Sequence, residues 1–452
     1  MPHLSYNLHL HFQCGGIFLP YNPGRRRKRL TLGCYAPAFQ AVKTSVSRMG
    51  NKQMRIAYIC YITNQSTART SQPVDILSKG VIYGLEKASS NKIDVFSVFP
   101  VPMFPRSRVI FSPVGRFKVG ETSVARYIPF INVPLIKQLT IFIAFFFQLL
   151  GWAWHYRKEK NKIILSYGLF SPIALPAYTI ARLFSASFVP QMPDPPFSSR
   201  DYKGWKKKLM DIDACLSKWM LKRVSYCVGL TQQLCEDFAP GAAHHVHKCG
   251  INPEQIHEPA LREPASRHVV IYSGLLGEYY LIPLILESFE FLDPDKYELH
   301  IYGKGVYEKQ VIEAQQRCGH IKYMGFVPHD ELVRNQQAAS LLLSPKDPRH
   351  PIVHYNFSSK LLEYLAGGTP VLMTDTHEAR AFGDAVFVIK DLTPKAVAED
   401  IRRACALSPE QRMARAEKVN KLLMEEYTWK AIGQGIYQFF KDITSDKKRC
   451  AS

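Results

Sequence analysis

The stretch Tyr355–Asp375, YNFSSKLLEYLAGGTPVLMTD, decides the reading of this chain. Lys360 to Ala366 reads as a short apolar helix. It stops at Gly367-Gly368, where a positive φ carries no steric cost. Thr369-Pro370 turns the chain, and Val371-Leu372-Met373 reads as a buried strand. Ser358 or Ser359 is expected at the N-cap. Backbone N–H groups at such a helix start, with Phe357 just before it, are free and carry partial positive charge, which suits a diphosphate. Glu363 lies one turn inside, where its carboxylate can accept from two vicinal sugar hydroxyls. The plain alternative is an ordinary capped strand–helix unit.

The chain has 452 residues, enough for two domains and a large core. Its 46% hydrophobic and 21% charged content is that of a globular protein. The formal charge of +20 points to anionic partners: nucleotide sugars, phospholipid surfaces or nucleic acid. Ten cysteines without a CxxC pair argue for free thiols in a reducing compartment.

Residues 1–53 differ from the rest. They hold eight Lys and Arg, including Arg25-Arg26-Arg27-Lys28-Arg29, and no Asp or Glu. They read as an unstructured basic extension or as upstream sequence before a start at Met49 or Met54. From Met54, strand, polar loop and helix (Val74 to Ala88) open a parallel α/β unit. The loop lacks GxGxxG, so a nicotinamide fingerprint is absent. Pro100 to Pro113 marks a long loop.

Leu139 to Trp154 is apolar all round and short of the roughly 20 residues a span requires. It reads as a core helix or as a helix touching a membrane interface, with a true span as the third alternative. Trp152, Trp154, Tyr156, Arg157 and Lys158 are residue types that an interface favours. Lys203, Lys206, Lys207 and Lys208 open the helix Trp205 to Arg223; they are a solvated face or, with the aromatic helix, a dock for anionic lipid. The strand Phe188 to Met192 ends in Pro193-Asp194-Pro195-Pro196. Asp194 is the one candidate catalytic carboxylate of that segment, since active-site groups gather at the carboxyl ends of parallel strands. His244, His245 and His247 with Cys227, Cys235 and Cys249 match no standard zinc spacing, so no metal site is assigned.

The pattern restarts after a linker near Gly250 to Arg267. Val269 to Tyr272 is a strand followed by Ser273-Gly274-Leu275-Leu276-Gly277, where Gly274 fits close approach of a phosphate. Tyr297 to Tyr302 is a strand ending in Gly303-Lys304-Gly305. Ile321 to Gly325 leads into Phe326-Val327-Pro328. The segment Ser344 to His354 carries Lys346, Arg349 and His350, and Tyr427 to Phe440 reads as a terminal helix.

These features together resemble the GT-B glycosyltransferases, in particular the glycosyltransferase 4-like group. The resemblance is strongest over about 269–440 and weaker over 54–255. It rests on the FSSKLLEY segment, on Gly368-Thr369-Pro370-Val371, on the two glycine turns and on Gly250-Ile251-Asn252-Pro253-Glu254. It implies an α/β chain of two Rossmann-like domains facing across an interdomain cleft. Residues 54–255 would form the acceptor domain, 256–430 the nucleotide-sugar donor domain, and 431–452 a helix crossing back plus tail. It implies a retaining, metal-independent transfer of sugar from a nucleotide donor, with no cofactor, to a glycan or lipid-linked acceptor in polysaccharide or glycoconjugate synthesis. Donor contacts would come from Gly274, Gly303, Lys304, Phe357, Ser358, Ser359, Lys360 and Glu363, with Glu363 on the ribose and Asp194 near the acceptor hydroxyl. The chain would be cytoplasmic, peripheral on the inner face of an anionic membrane, and without a nucleic-acid partner. Two departures stand out. Tyr355 replaces a glutamate that contacts the sugar in the family, and Leu275, Glu278 and Tyr279 replace a basic pair that neutralises the diphosphate. They motivate one alternative, a non-catalytic nucleotide- or glycan-binding GT-B protein or partner subunit; a nucleotide-sugar epimerase is a further alternative.

Overall fold

The computed structural model describes residues 54–64, 72–196, 204–258 and 266–449. The expectations for 1–53 and for Lys203 fall outside these residues.

Eight strands form the first sheet: β1 (Arg55–Cys60), β2 (Asp94–Ser97), β3 (Arg116–Lys118), β4 (Val124–Tyr127), β5 (Lys162–Tyr167), β6 (Ser187–Met192), β7 (Tyr226–Gly229) and β8 (Ala243–Val246). Their spatial order is β3-β4-β2-β1-β5-β6-β7-β8, parallel except for β3 against β4. Six strands form the second: β9 (His268–Ser273), β10 (Tyr297–Tyr302), β11 (Ile321–Gly325), β12 (Leu341–Ser344), β13 (Val371–Thr374) and β14 (Phe387–Ile389). Their order is β11-β10-β9-β12-β13-β14, all parallel. Both sheets are doubly wound, with direction reversing between β1 and β5 and between β9 and β12. Ligands bind at such reversals, outside the carboxyl ends of the strands.

The central strands are buried on both faces, as apolar runs such as Ile163-Ile164-Leu165 and Leu341-Leu342-Leu343 require. The hairpin β3–β4 lies beyond the proline-rich stretch read as loop. Its strands bury only alternate residues (Phe117, Ala125, Tyr127) and are too short for periodicity to declare them.

Two crossings join the units side by side. Ile251 N–H donates to Tyr427 O (2.8 Å) and Trp429 N–H returns to Ile251 O (3.3 Å). The terminal helix Trp429–Arg449 then packs on Gln72–Ser89 of the first unit. Glycine makes this approach close: a Cβ on Gly84 would stand 2.1 Å from the Trp429 carbonyl oxygen. The described cysteines are free thiols.

The helix Ile136–His155 has 20 residues, longer than the apolar run read from the sequence. Apolar all round in composition, it buries one stripe, Ile141, Phe145, Leu149, Trp152 and Ala153, and leaves the opposite side in solvent. It is long and apolar enough to cross a membrane by length and composition.

Candidate functional site

The two glycine turns meet at the β9/β12 reversal. Gly274 N–H donates to Tyr302 O (2.9 Å) and Leu276 N–H to Lys304 O (3.0 Å). Gly303 has φ +124, and a Cβ there would lie 1.8 Å from Gly274 O. Backbone-to-backbone packing thus accounts for this glycine before any ligand is considered. The Lys304 side chain is exposed.

Lys360 turns inward onto the first of these turns. Its Nζ donates to Ser273 O (2.7 Å) and lies 4.6 Å from the centroid of the Tyr272 ring, with Tyr280 and Tyr364 at 5.7 and 5.3 Å. A Cβ on Gly274 would meet this Nζ at 3.0 Å. Burial among the rings, and then the charge of Lys346, lower the ammonium to a pKa of about 7. Nothing local in the sequence fixes the direction of this lysine. The tyrosines that decide the matter come from other elements.

The helix Ser359–Ala366 starts as expected, with Ser358 at the N-cap position, but the Ser358 side chain makes no capping bond. Its backbone N–H, assigned from sequence to a diphosphate, instead donates to the carboxylate of Glu378. The other Glu378 oxygen accepts from Lys346 Nζ at 2.6 Å, and both side chains are almost fully buried. Lys346 also donates to Asn356 Oδ1 (3.2 Å). A carboxylate therefore already stabilises this helix start, and the Ser359 and Lys360 amides are the first-turn N–H groups left for an anion. Phe357 is buried, stacked near Tyr427 at 6.1 Å between centroids, and offers backbone only. Glu378 was not read from sequence. It sits on a separate short helix, His377–Phe382, twenty positions beyond Ser358.

Glu363 lies one turn along, at the exposed wall of a cavity of about 430 Å³. His329, Asp330, Arg334 and the linker residues Glu254 and His257 share that wall. Surrounding protein raises its carboxyl above the usual range, outweighing the opposing influence of His329 and Lys360. A more open hollow of about 690 Å³ is lined only by residues 306–317 and shares none of these groups.

Across the cleft, Asp194 follows β6 and is raised to a pKa of about 6 by burial. Its charge is felt by Tyr167 and Cys249 on one side and by Tyr279 of the second unit on the other. Gln191 of β6 belongs to a buried chain. Tyr58 Oη donates to Gln191 Oε1 (2.6 Å), Gln191 Nε2 to His247 Nε2 (2.9 Å), and His247 Nδ1 to Lys248 O (3.0 Å). Burial lowers His247 to about 4, so the ring is neutral and works as a strut.

The departures have structural occupants. Tyr355 reaches the first unit, with its hydroxyl on Asp237 and its ring edge-on to Phe238 at 5.4 Å. Tyr279 stacks on His350 at 5.2 Å and donates to Tyr280 Oη at 3.1 Å. Arg349 is held by Asp347 in a two-point pair. Lys360 is a cation set against the glycine turn.

Residues 267–406 match the family model described as glycosyl transferases group 1. No curated protein matches the sequence. Among solved structures, sucrose-phosphate synthase from Thermosynechococcus elongatus aligns with TM-score 0.58 at 13% identity, over 87% of this chain and 100% of that one. An α,α-trehalose-phosphate synthase (UDP-forming) from Burkholderia vietnamiensis aligns with TM-score 0.58 at 10% identity, over 88% and 99%. Anabaena HepE in complex with UDP aligns with TM-score 0.56 at 13% identity, over 86% and 100%. The fold is GT-B, two Rossmann-like units across a cleft, and the stretch that matches the group 1 model lies in the second unit.

Proposed function

We propose that this chain is a glycosyltransferase that moves a sugar from a nucleotide-sugar donor to an acceptor hydroxyl, with retention and without a metal, in the manner of the glycosyltransferase 4-like group. The observation that carries the reading is Lys360 Nζ seated against the Gly274 turn at the start of the helix that bears Glu363. That arrangement supplies the positive charge that the missing basic pair would have brought. Amides of Ser359 and Lys360, with the Lys360 ammonium, stabilise the departing diphosphate electrostatically. Glu363 holds the ribose. Asp194, raised by burial and with a charge that acts on Tyr279, orients the acceptor hydroxyl at the other side of the cleft. Closing of the units excludes water that would hydrolyse the donor. UDP is the first nucleotide to test, since UDP is bound in the HepE structure and UDP-forming synthases share the fold. A glycan or lipid-linked acceptor and a cytoplasmic site of action complete the reading.

One observation favours the non-catalytic alternative: Glu378 already engages the Ser358 amide and the Lys346 ammonium. Thermal shift with UDP, GDP and ADP and the matching nucleotide sugars separates the two, because a ligand of the folded state raises the melting temperature. A base-selective shift with sugar release to an acceptor supports transfer. A shift without any turnover supports the non-catalytic reading, and no shift with any nucleotide removes both.

A further inference from the structure

We propose that the helical face formed by Ile136–His155, Ser171–Leu183 and Trp205–Leu221 docks the protein on an anionic lipid bilayer. The connections β4→β5, β5→β6 and β6→β7 all run the same way across the sheet. Right-handed crossovers therefore put these three helices on one face, opposite Gln72–Ser89. Tyr178 and Trp219 join the second and third helices at 5.7 Å, and Trp154 meets Phe184 at 6.5 Å.

The outer side of the first helix is apolar and in solvent. Leu139, Phe147 and Trp154 are 59%, 64% and 60% exposed, in line with Leu135, Ile136 and Ile143. The strip continues into the preceding loop, where Phe111 and Val114 are 72% and 79% exposed. That loop is fixed beside the helix start by the Phe111–Ile131 bridge and by Asn132 Nδ2 bonds to Pro102 O and Val109 O, both 2.8 Å. Surfaces of monomeric proteins rarely leave so continuous an apolar strip uncovered.

Basic side chains surround it. Arg106 and Arg108 lie at the loop end, Arg157 and Lys158 at the far end, and Arg182, Lys206, Lys207 and Lys208 on the neighbouring helices, all exposed. Asp211 on this face is paired with Lys207 (3.3 Å). Arg157 stacks over Trp154 at 4.9 Å and Arg223 over Trp219 at 4.5 Å, aromatic–cation pairs suited to a headgroup layer. The inner stripe from Ile141 to Ala153 is built into the core, so the helix lies along the bilayer rather than through it. A second copy would bring the same basic rim against itself, which charge opposes, whereas anionic lipid complements it.

The helix starts at the carboxyl end of the strands, so the exposed loop and Leu135 lie on the cleft side. Docking there sets the cleft mouth at the headgroup plane, which fits an acceptor anchored in lipid. That last point rests on the transfer reading, while the docking itself does not.

The test is co-sedimentation of the full chain with vesicles of phosphatidylcholine alone and of phosphatidylcholine with phosphatidylglycerol. Binding to the anionic vesicles is expected, weaker on the neutral ones, and reduced by about 0.5 M salt. The L139S/F147S/W154S variant should lose binding by at least roughly tenfold, and K206E/K207E/K208E should lose the preference for anionic lipid. Both should keep the wild-type circular dichroism and melting temperature, since the changed side chains are exposed. Absence of wild-type binding overturns the proposal, and so does undiminished binding by the serine variant. A wild-type dimer that the serine variant makes monomeric, with no vesicle binding, assigns the face to self-association and also overturns it. Nucleotide thermal shift reads the transfer proposal separately, so either can fail alone.

Discussion

Tyr355 Oη donates a 2.9 Å hydrogen bond to Asp237 Oδ2, tying the segment before the helix Ser359–Ala366 to a helix of the other unit. Thr231 Oγ1 donates to His354 O (3.1 Å) beside it. The side chain at the position of the family's sugar-contacting glutamate therefore serves the interface between the units. Tyr355→Phe keeps the ring on Phe238 and removes one exposed bond, a loss of about 1 kcal/mol or less. Tyr355→Glu sets a second carboxylate against Asp237 and should open the contact. Amide hydrogen exchange over residues 232–238 is expected to be near wild type in the first variant and faster in the second. Equal exchange in both would mean that the contact does not hold the units together.

If Lys360 serves the diphosphate as proposed, it gives binding a pH dependence of definite sign. Its pKa lies near 7, against 10.5 for an ordinary lysine. Between these values the unfolded chain binds more protons than the folded one, so this group makes stability rise with pH across that window. Anion binding runs the other way, because the cation is present below about pH 7 and lost above it. Diphosphate affinity should fall between pH 6.5 and 8.5, by roughly 25-fold at most if only the charged form binds. Titration calorimetry at the two pH values checks this, with Lys360→Met as the baseline that carries the ligand's own ionisation. A wild type that follows the variant's profile would remove Lys360 from the diphosphate site.

Glu363 stands at the wall of the 430 Å³ cavity with its side chain exposed. Hydrogen bonds to a charged group are worth about 1.5–3 kcal/mol, so Glu363→Ala should weaken nucleotide binding by roughly ten- to a hundredfold. The free energy of urea unfolding should stay within about 0.5 kcal/mol of wild type, as for other exposed sites. Unchanged affinity would move the ribose away from this wall.

The sequence made some of this legible for a clear reason. β10 and β11 lie where their residues predict, because apolar strand positions between turn residues are a local signal. Helices Glu308–Arg317 and His329–Ala338 escaped notice because they bury very little: Val311 and Ala314 in one, Gln336 in the other. The helix bearing Lys360 and Glu363 was readable from its glycine stop and its serines. The direction of Lys360 was not, since Tyr272 and Tyr280 come from another strand and turn. Nor was the Glu378 contact, because a pairing between elements leaves no trace in either segment's periodicity.

Glu378 and Lys346 make the strongest stability prediction. Their 2.6 Å pair is closed to solvent, and the Ser358 amide shares the carboxylate. Removing one partner leaves an uncompensated buried charge, which costs about 3–5 kcal/mol. Glu378→Leu should lower unfolding stability by that amount, and Lys346→Met by less, since Ser358 and the helix start still satisfy part of the carboxylate. Changing both removes both desolvation penalties, and buried pairs replaced by packed apolar groups are often neutral or better. The double variant Lys346→Met/Glu378→Leu should therefore be more stable than Glu378→Leu alone. It should also free the Ser358 amide for an anion. Urea unfolding of the four proteins gives the coupling directly. A double variant whose loss equals the sum of the singles would mean that the two charges do not compensate each other, and that the helix start is held by packing alone.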